Sequence, residues 1–138
     1  MTSSSPLVSV TAAILKKNHR IIIAQRKSTD HLAGKWEFPG GKIEEGETPE
    51  ECLKRELHEE FAVDIIVGEY LGESIYHYEH ISIKLMAYRA YWVGGTLKST
   101  DHKDYRWVTI KQLRDYDFAP ADIPFVKKLL RGDIELHD

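Results

Sequence analysis

The stretch GKIEEGETPEECLKRELHEEFAV, residues 41–63, decides how this chain is read. It opens as a loop, because the Pro39-Gly40-Gly41 cluster at its start invites backbone conformations that other residues avoid. A helix follows. Thr48 is a good N-cap, Pro49 suits the first helical position, and Glu51 stands three residues after the cap, as a capping box requires. Leu53, Leu57 and Phe61 then recur every four residues and give the helix an apolar face to bury. The helix is expected to end near Phe61–Val63.

The same helix carries Glu56, Glu59 and Glu60 at i, i+3 and i+4. At about 100° per residue they share one stripe. Like charges at helical neighbours destabilise by a few tenths of a kcal/mol per pair, and a hard cation with oxygen ligands would relieve that repulsion. The plain alternative is a solvated acidic face, with Glu59 paired to Arg55 one turn earlier. Two features favour the cation. The stripe comes late in the helix, where the dipole disfavours negative charge. The preceding Gly-rich loop ends in Glu47, so it can bring backbone carbonyls and another acid to the same place.

Outward from this segment, Leu7–Leu15 and Arg20–Arg26 are β-branched and apolar and read as two strands joined by a turn at Lys16–His19. A polar segment, Lys27–Lys35, leads into Trp36–Phe38. Asp64–Leu71, Ile81–Trp92 and Tyr105–Val108 read as further strands, with Gly94-Gly95 breaking the second. Ile110–Arg114 is expected to form one helical turn, and Ile123–Arg131 a terminal helix closed by Gly132. A sheet layered with at least two helices, an α/β (α+β) fold, is the simplest arrangement.

A chain of 138 residues is the length of one domain spanning 1–138. Met1–Pro6 is a Ser-rich segment without a basic or apolar signal region and is expected to be a flexible leader. No stretch approaches the roughly 20 apolar residues that span a bilayer. The lone Cys52 cannot form an internal disulfide and reads as a small helical residue in a reducing, cytoplasmic protein. A net charge of −3 argues against stable nucleic-acid binding or membrane adhesion through a cationic surface. A polyphosphate substrate would then need a divalent metal for neutralisation.

The run from Gly41 to Glu47, then Arg55-Glu56-Leu57-His58-Glu59-Glu60-Phe61-Ala62-Val63, resembles the Nudix box, GX5EX7REUXEEXGU with U aliphatic. Ala62 stands where the pattern has glycine, which bears on the helix C-cap. Ala24-Gln-Arg26, His31–Phe38, Trp107 and Ala119–Pro124 resemble the corresponding stretches of the MutT branch and of the CTP pyrophosphohydrolases. This resemblance implies a mixed β-sheet sandwiched between helices (α/β/α), with a loop-helix-loop that binds Mg²⁺, or Mn²⁺ as a substitute.

By the same resemblance the metal ligands are Glu56, Glu59, Glu60 and the Gly41 carbonyl, with Asp101 as a further carboxylate and Asp104 as its near rival. Glu56, with Glu59 as the alternative, takes the proton of the attacking water. Glu47 and Arg55 hold the ligands in place through a charge-assisted pair. Arg26 faces the polyphosphate or is a solvent-exposed residue at a strand end, and Tyr76 is a wall or stacking residue. Asp122 reads the base or caps the final helix. His77, His80 and His102 lack metal-ligand spacing and read as surface residues.

The implied reaction converts a (d)NTP and water to a (d)NMP and pyrophosphate. The implied substrates are 8-oxo-dGTP, cytosine nucleotides or both, in a nucleotide-pool sanitising role, with a small-molecule nucleotide as the partner. The rivals are another Nudix substrate, such as ADP-ribose, a dinucleoside polyphosphate or an RNA 5′ end, and a non-catalytic lesion-binding module.

Overall fold

A computed structural model describes residues 6–27, 32–98 and 104–136. The leader at residues 1–5 lies outside the described residues, as do His31, Asp101 and His102. Strands β1 (Leu7–Lys17) and β2 (Arg20–Gln25) form the expected hairpin. Asn18 and His19 adopt positive φ angles of 52° and 64° at its turn, the conformation a two-residue hairpin loop demands.

Side-chain alternation along these strands sets up the layers. Ala12, Ile14, Ile21 and Ile23 pack with Phe125, Val126 and Leu129 of helix α2 (Ile123–Arg131). Ala13, Leu15, Ile22 and Ala24 pack with Leu53, Leu57 and Phe61 of helix α1 (Pro49–Phe61). Both faces of the sheet are therefore covered, which explains why the strands read as unbroken apolar runs rather than alternating ones. Each fully buried leucine of α1 is worth about 2–5 kcal/mol against alanine.

The sheet is mixed. Strand β5 (Ser82–Gly95) runs parallel to β1 in a register from Leu7 opposite Ser82 to Leu15 opposite Ala90, and β4 (Val63–His77) pairs antiparallel to β5. Strands β3 (Trp36–Glu37) and β6 (Asp104–Val108) pair antiparallel to β2. Hairpin partners β1 and β2 pair through Lys16–Ile21 and Lys17–Arg20. Further along β1 the glycine loop takes β2's place: Ala13 N–H donates to Pro39 O at 2.7 Å, Thr11 N–H to Gly41 O at 2.8 Å, and Ile43 N–H to Ser9 O at 3.0 Å. A Cβ at Gly40 would lie 2.0 Å from Thr11 O, so this contact requires glycine.

Helix α1 begins as its sequence dictates. Thr48 Oγ1 accepts the Glu51 N–H at 3.1 Å and Glu51 Oε1 accepts the Thr48 N–H at 2.9 Å, completing the capping box. It ends at Ala62, whose φ of 57° and ψ of 31° are left-handed. The box residue that departs from glycine thus still takes the conformation glycine serves, at a steric cost of about 1 kcal/mol.

Three boundaries differ from expectation. Strand β4 continues past Leu71 to His77 through irregularities at Val67/Tyr70 and Tyr70/Gly72, where Gly72, with φ of 124°, accommodates a bulge. Gly94 and Gly95 end β5 from within, because a Cβ at Gly95 would lie 2.1 Å from Ala62 O. The short helix is a 3-10 turn at Lys111–Asp115. Among the described residues no helix is long and apolar enough to cross a membrane.

Candidate active site

Arg55 organises the carboxylates of α1 and its preceding loop. Its Nε reaches Glu47 Oε2 at 2.7 Å and its Nη2 reaches Glu47 Oε1 at 2.9 Å, a bidentate grip. Nη1 donates to Glu56 at 2.9 Å and to Glu59 at 3.2 Å, and Nη2 also donates to the Lys42 carbonyl at 3.2 Å. Arg55 first, and the Glu44 N–H second, hold the Glu47 carboxyl down at about 2. The same pairing raises the Arg55 guanidinium above its ordinary value. Glu47 and Arg55 are therefore together, as anticipated. Glu59 does pair with Arg55 one turn earlier, but within a network shared with Glu47 and Glu56.

The glycine loop fits closely against this network. A Cβ at Gly41 would lie 2.3 Å from the carboxyl carbon of Glu56, so that carboxylate rests on the bare Cα of Gly41. The Glu56 side chain is 13% exposed against 58% for Glu59. Glu60 lines the adjacent cavity, with its Oε2 shielded from solvent. The Gly41 carbonyl, expected as a metal oxygen, also meets β1. That oxygen accepts the Thr11 N–H at 2.8 Å and the Thr11 hydroxyl at 3.2 Å, so its two lone pairs are engaged toward β1. Cys52 lies beneath the same loop, its Sγ 3.4 Å from Lys42 O and 3.3 Å from Thr11 Oγ1. Burial pushes its thiol up to about 11.

The cavity beside the loop measures about 410 Å³. Val8, Val10, Ile83 and Leu85 supply apolar walls; Gly40, Gly41, Lys42 and Glu60 border it on the side of α1. Arg26, Glu37, Tyr78 and Asp122 give it a polar floor. Asp122 is 5% exposed, and its Oδ2 accepts the Phe38 N–H at 3.0 Å. Burial first, then the charge of Glu37, pushes its carboxyl well above the usual carboxylate range, against the pull of the Phe38 N–H and Arg26. The reading of Asp122 as a side-chain cap is corrected here: it stands at the N-cap position of α2, but its carboxylate makes no capping bond and turns to Phe38 instead.

Arg26 is a cavity residue rather than a solvated strand end: its side chain is 27% exposed, and its Nη1 donates to Glu37 Oε1 at 2.7 Å. Tyr76 also needs correction. It is exposed and absent from the cavity wall, while Tyr78, whose ring lies 4.7 Å from that of Tyr76, lines the cavity. Alternation along β4 places neighbours two apart on one face, but the turn after His77 swings Tyr78 inward, and no sequence signal marked that. Glu37 was missed as well. An acid between Trp36 and Phe38, both buried, was the available clue. Asp101 lies outside the described residues. Its rival Asp104 sits in β6, opposite Gln25, and engages Arg106 at 3.3 Å. His77 and His80 are exposed, as expected.

Among the described residues no three His, Cys, Asp or Glu side chains converge into a ready-made metal cage. The donor set nonetheless fits a hard divalent cation. Glu56, Glu59 and Glu60 offer oxygen alone, and such a cation is commonly held by one or two carboxylates, waters and substrate phosphates.

An acid-bearing helix thus stands behind a glycine loop and flanks an apolar cavity in a helix-covered mixed sheet. The NUDIX domain model matches residues 10–128. The CTP pyrophosphohydrolase of Escherichia coli K12 is 35% identical over 127 residues, covering 90% of this chain and 92% of that protein. The 8-oxo-dGTP diphosphatase of the same organism is 34% identical over 118 residues, covering 86% and 92%. The solution structure of a MutT protein of the Nudix hydrolase family from Staphylococcus aureus superposes with a TM-score of 0.75 at 34% identity, covering 94% of this chain and 99% of that one. The chain belongs to the NUDIX domain family.

Proposed function

We propose that this protein is a Mg²⁺-dependent pyrophosphohydrolase of the cytoplasmic nucleotide pool, converting a nucleoside triphosphate and water to the monophosphate and pyrophosphate. The observation that carries this is one cavity bordered by Gly41 and Glu60 of the acidic loop-helix and floored by Glu37 and Asp122. A triphosphate at the mouth thereby places its base at the floor. Glu56, Glu59 and Glu60 would hold the metal, which lowers the pKa of bound water and stabilises charge on phosphoryl oxygens. Gly41 yields the space in which the Glu56 carboxylate sits.

Glu56 accepts the proton of the attacking water, a role supported by its enclosure against Gly41. The water oxygen bonds to the β-phosphorus, the bond from that phosphorus to the α,β-bridging oxygen breaks, and the bridging oxygen leaves with the monophosphate. Arg55, anchored on Glu47, keeps Glu56 and Glu59 in place. Among the residues lining the cavity the cations are Lys42, beside Gly41 and Glu60, and Arg26, paired with Glu37, and both are available to a polyphosphate that enters it.

Burial shifts Asp122 toward its neutral form, and that form presents one donor and one acceptor. Cytosine matches it with N3 as acceptor and the amino group as donor. 8-Oxoguanine matches it with O6 as acceptor and N7–H as donor. Unmodified guanine presents two acceptors, O6 and N7, on the edge that 8-oxoguanine uses, and pairs with the neutral carboxyl only by turning its O6 and N1–H edge to it. Both cytosine nucleotides and 8-oxo-dGTP are thus the expected substrates, with dGTP disfavoured. The test is a nucleotide panel with Mg²⁺ in ¹⁸O-labelled water. Pyrophosphate carrying the label is the expected product, and orthophosphate as first product would overturn the reading. Asp122→Ala should abolish discrimination against dGTP.

A further inference from the structure

We propose that Tyr78 is a positioning residue for base selection, tying the turn between β4 and β5 to the segment that presents Asp122. The inference rests on the substrate reading above. The Tyr78 hydroxyl accepts the N–H of Ala121, immediately before Asp122, at 3.3 Å. The tyrosine's own backbone N–H donates to Ile81 O at 2.8 Å, which fixes the turn from which the ring reaches the cavity. The ring is held on its other side by Tyr76 at 4.7 Å. Asp122 therefore lies between two restraints on different elements. The Phe38 N–H, next to β3, holds its carboxyl, and Tyr78 holds the backbone one residue earlier.

The consequence concerns discrimination between bases. A carboxyl distinguishes bases only while its donor and acceptor keep their direction, and a side chain on an untethered loop can turn to suit either base. Tyr78 also lines the same cavity as Asp122, so the residue that restrains the loop is itself a wall against which the base lies. The exposed Tyr76 then acts on the site as the support behind Tyr78.

The experiment compares wild type with Tyr78→Phe, which removes the hydroxyl and keeps the ring. kcat and KM are measured for CTP, 8-oxo-dGTP and dGTP, and CMP affinity is measured by calorimetry without turnover. Loss of one net hydrogen bond should move the kcat/KM ratio between preferred and disfavoured bases about three- to tenfold toward unity, acting more on KM than on kcat, with CMP binding weakened in parallel. A purely structural tyrosine would lower thermal stability and leave these ratios alone. Unchanged ratios in Tyr78→Phe, with a wild type that cleaves these nucleotides to pyrophosphate, overturn the proposal alone. A wild type that cleaves none of them overturns the substrate reading and the proposal with it.

Discussion

Behind the glycine loop that borders the mouth of the cavity, Glu47, Glu56 and Glu59 are gathered around the Arg55 guanidinium, and Glu47 is held down at about 2. At its floor Asp122 is enclosed, meets a backbone N–H, and has its carboxyl pushed up. The two ends hold the same functional group by opposite means. Around Arg55 the fold supplies a counter-charge, which favours the ionised acids even where, as at Glu47 and Glu56, little of the side chain is exposed. Where hydrogen-bond direction must distinguish bases, it removes solvent and favours the neutral acid.

The sharpest way to break this contrast is at the mouth. Glu56→Gln or Glu59→Gln keeps size and fold, and either should cut kcat by about 10²–10⁴-fold with Mg²⁺, measured as pyrophosphate release. Near-normal turnover in both would remove the catalytic end from the comparison. Gly41→Ala should act in the same direction, by about 10–100-fold, because the new methyl must displace the Glu56 carboxylate.

A smaller effect separates the ends by pH. The folded value for Glu47 lies below its ordinary 4.5, so its pairing with Arg55 contributes stability above that pH and loses it as pH falls toward 2. Asp122 has the reverse sign. Its raised value favours folding below the unfolded carboxylate range, and that contribution disappears as pH rises through the folded value. Thermal unfolding across pH should therefore show Glu47→Gln flattening the acid limb. Asp122→Asn should be more stable than wild type by a few degrees at alkaline pH and converge with it in acid. The smallest expected effect lies outside both ends: Ala62→Gly should relieve the left-handed cap and stabilise by about 0.5–1 kcal/mol, read by denaturant unfolding.

The mouth was legible in sequence and much of the floor was not, for a physical reason. The box puts Arg55, Glu56 and Glu59 within about one turn of one capped helix, with Glu47 just before its N-cap, so local geometry fixes most of their spacing. The floor is assembled from Arg26, Glu37, Tyr78 and Asp122, contributed by four separate segments, and their meeting depends on sheet register. Resemblance located Arg26 and Asp122 but placed the aromatic wall at Tyr76, two residues away from the ring that lines the cavity. The setting of the Gly41 carbonyl was hidden for a similar reason. A sequence shows that a loop is rich in glycine, but not that β1 turns from β2 to that loop and engages its carbonyls.

Cys52 turns this loop into its own clock. Its sulfur lies beneath the Gly41 and Lys42 carbonyls, and burial suppresses the thiolate, the form that reacts. Alkylation therefore waits for the loop to lift from β1. In excess reagent the labelling rate, divided by that of a free thiol at the same pH, reports how often the loop opens. The chain holds one cysteine, so the clock has one hand and needs no engineering. Nucleotide bound across the loop should slow it.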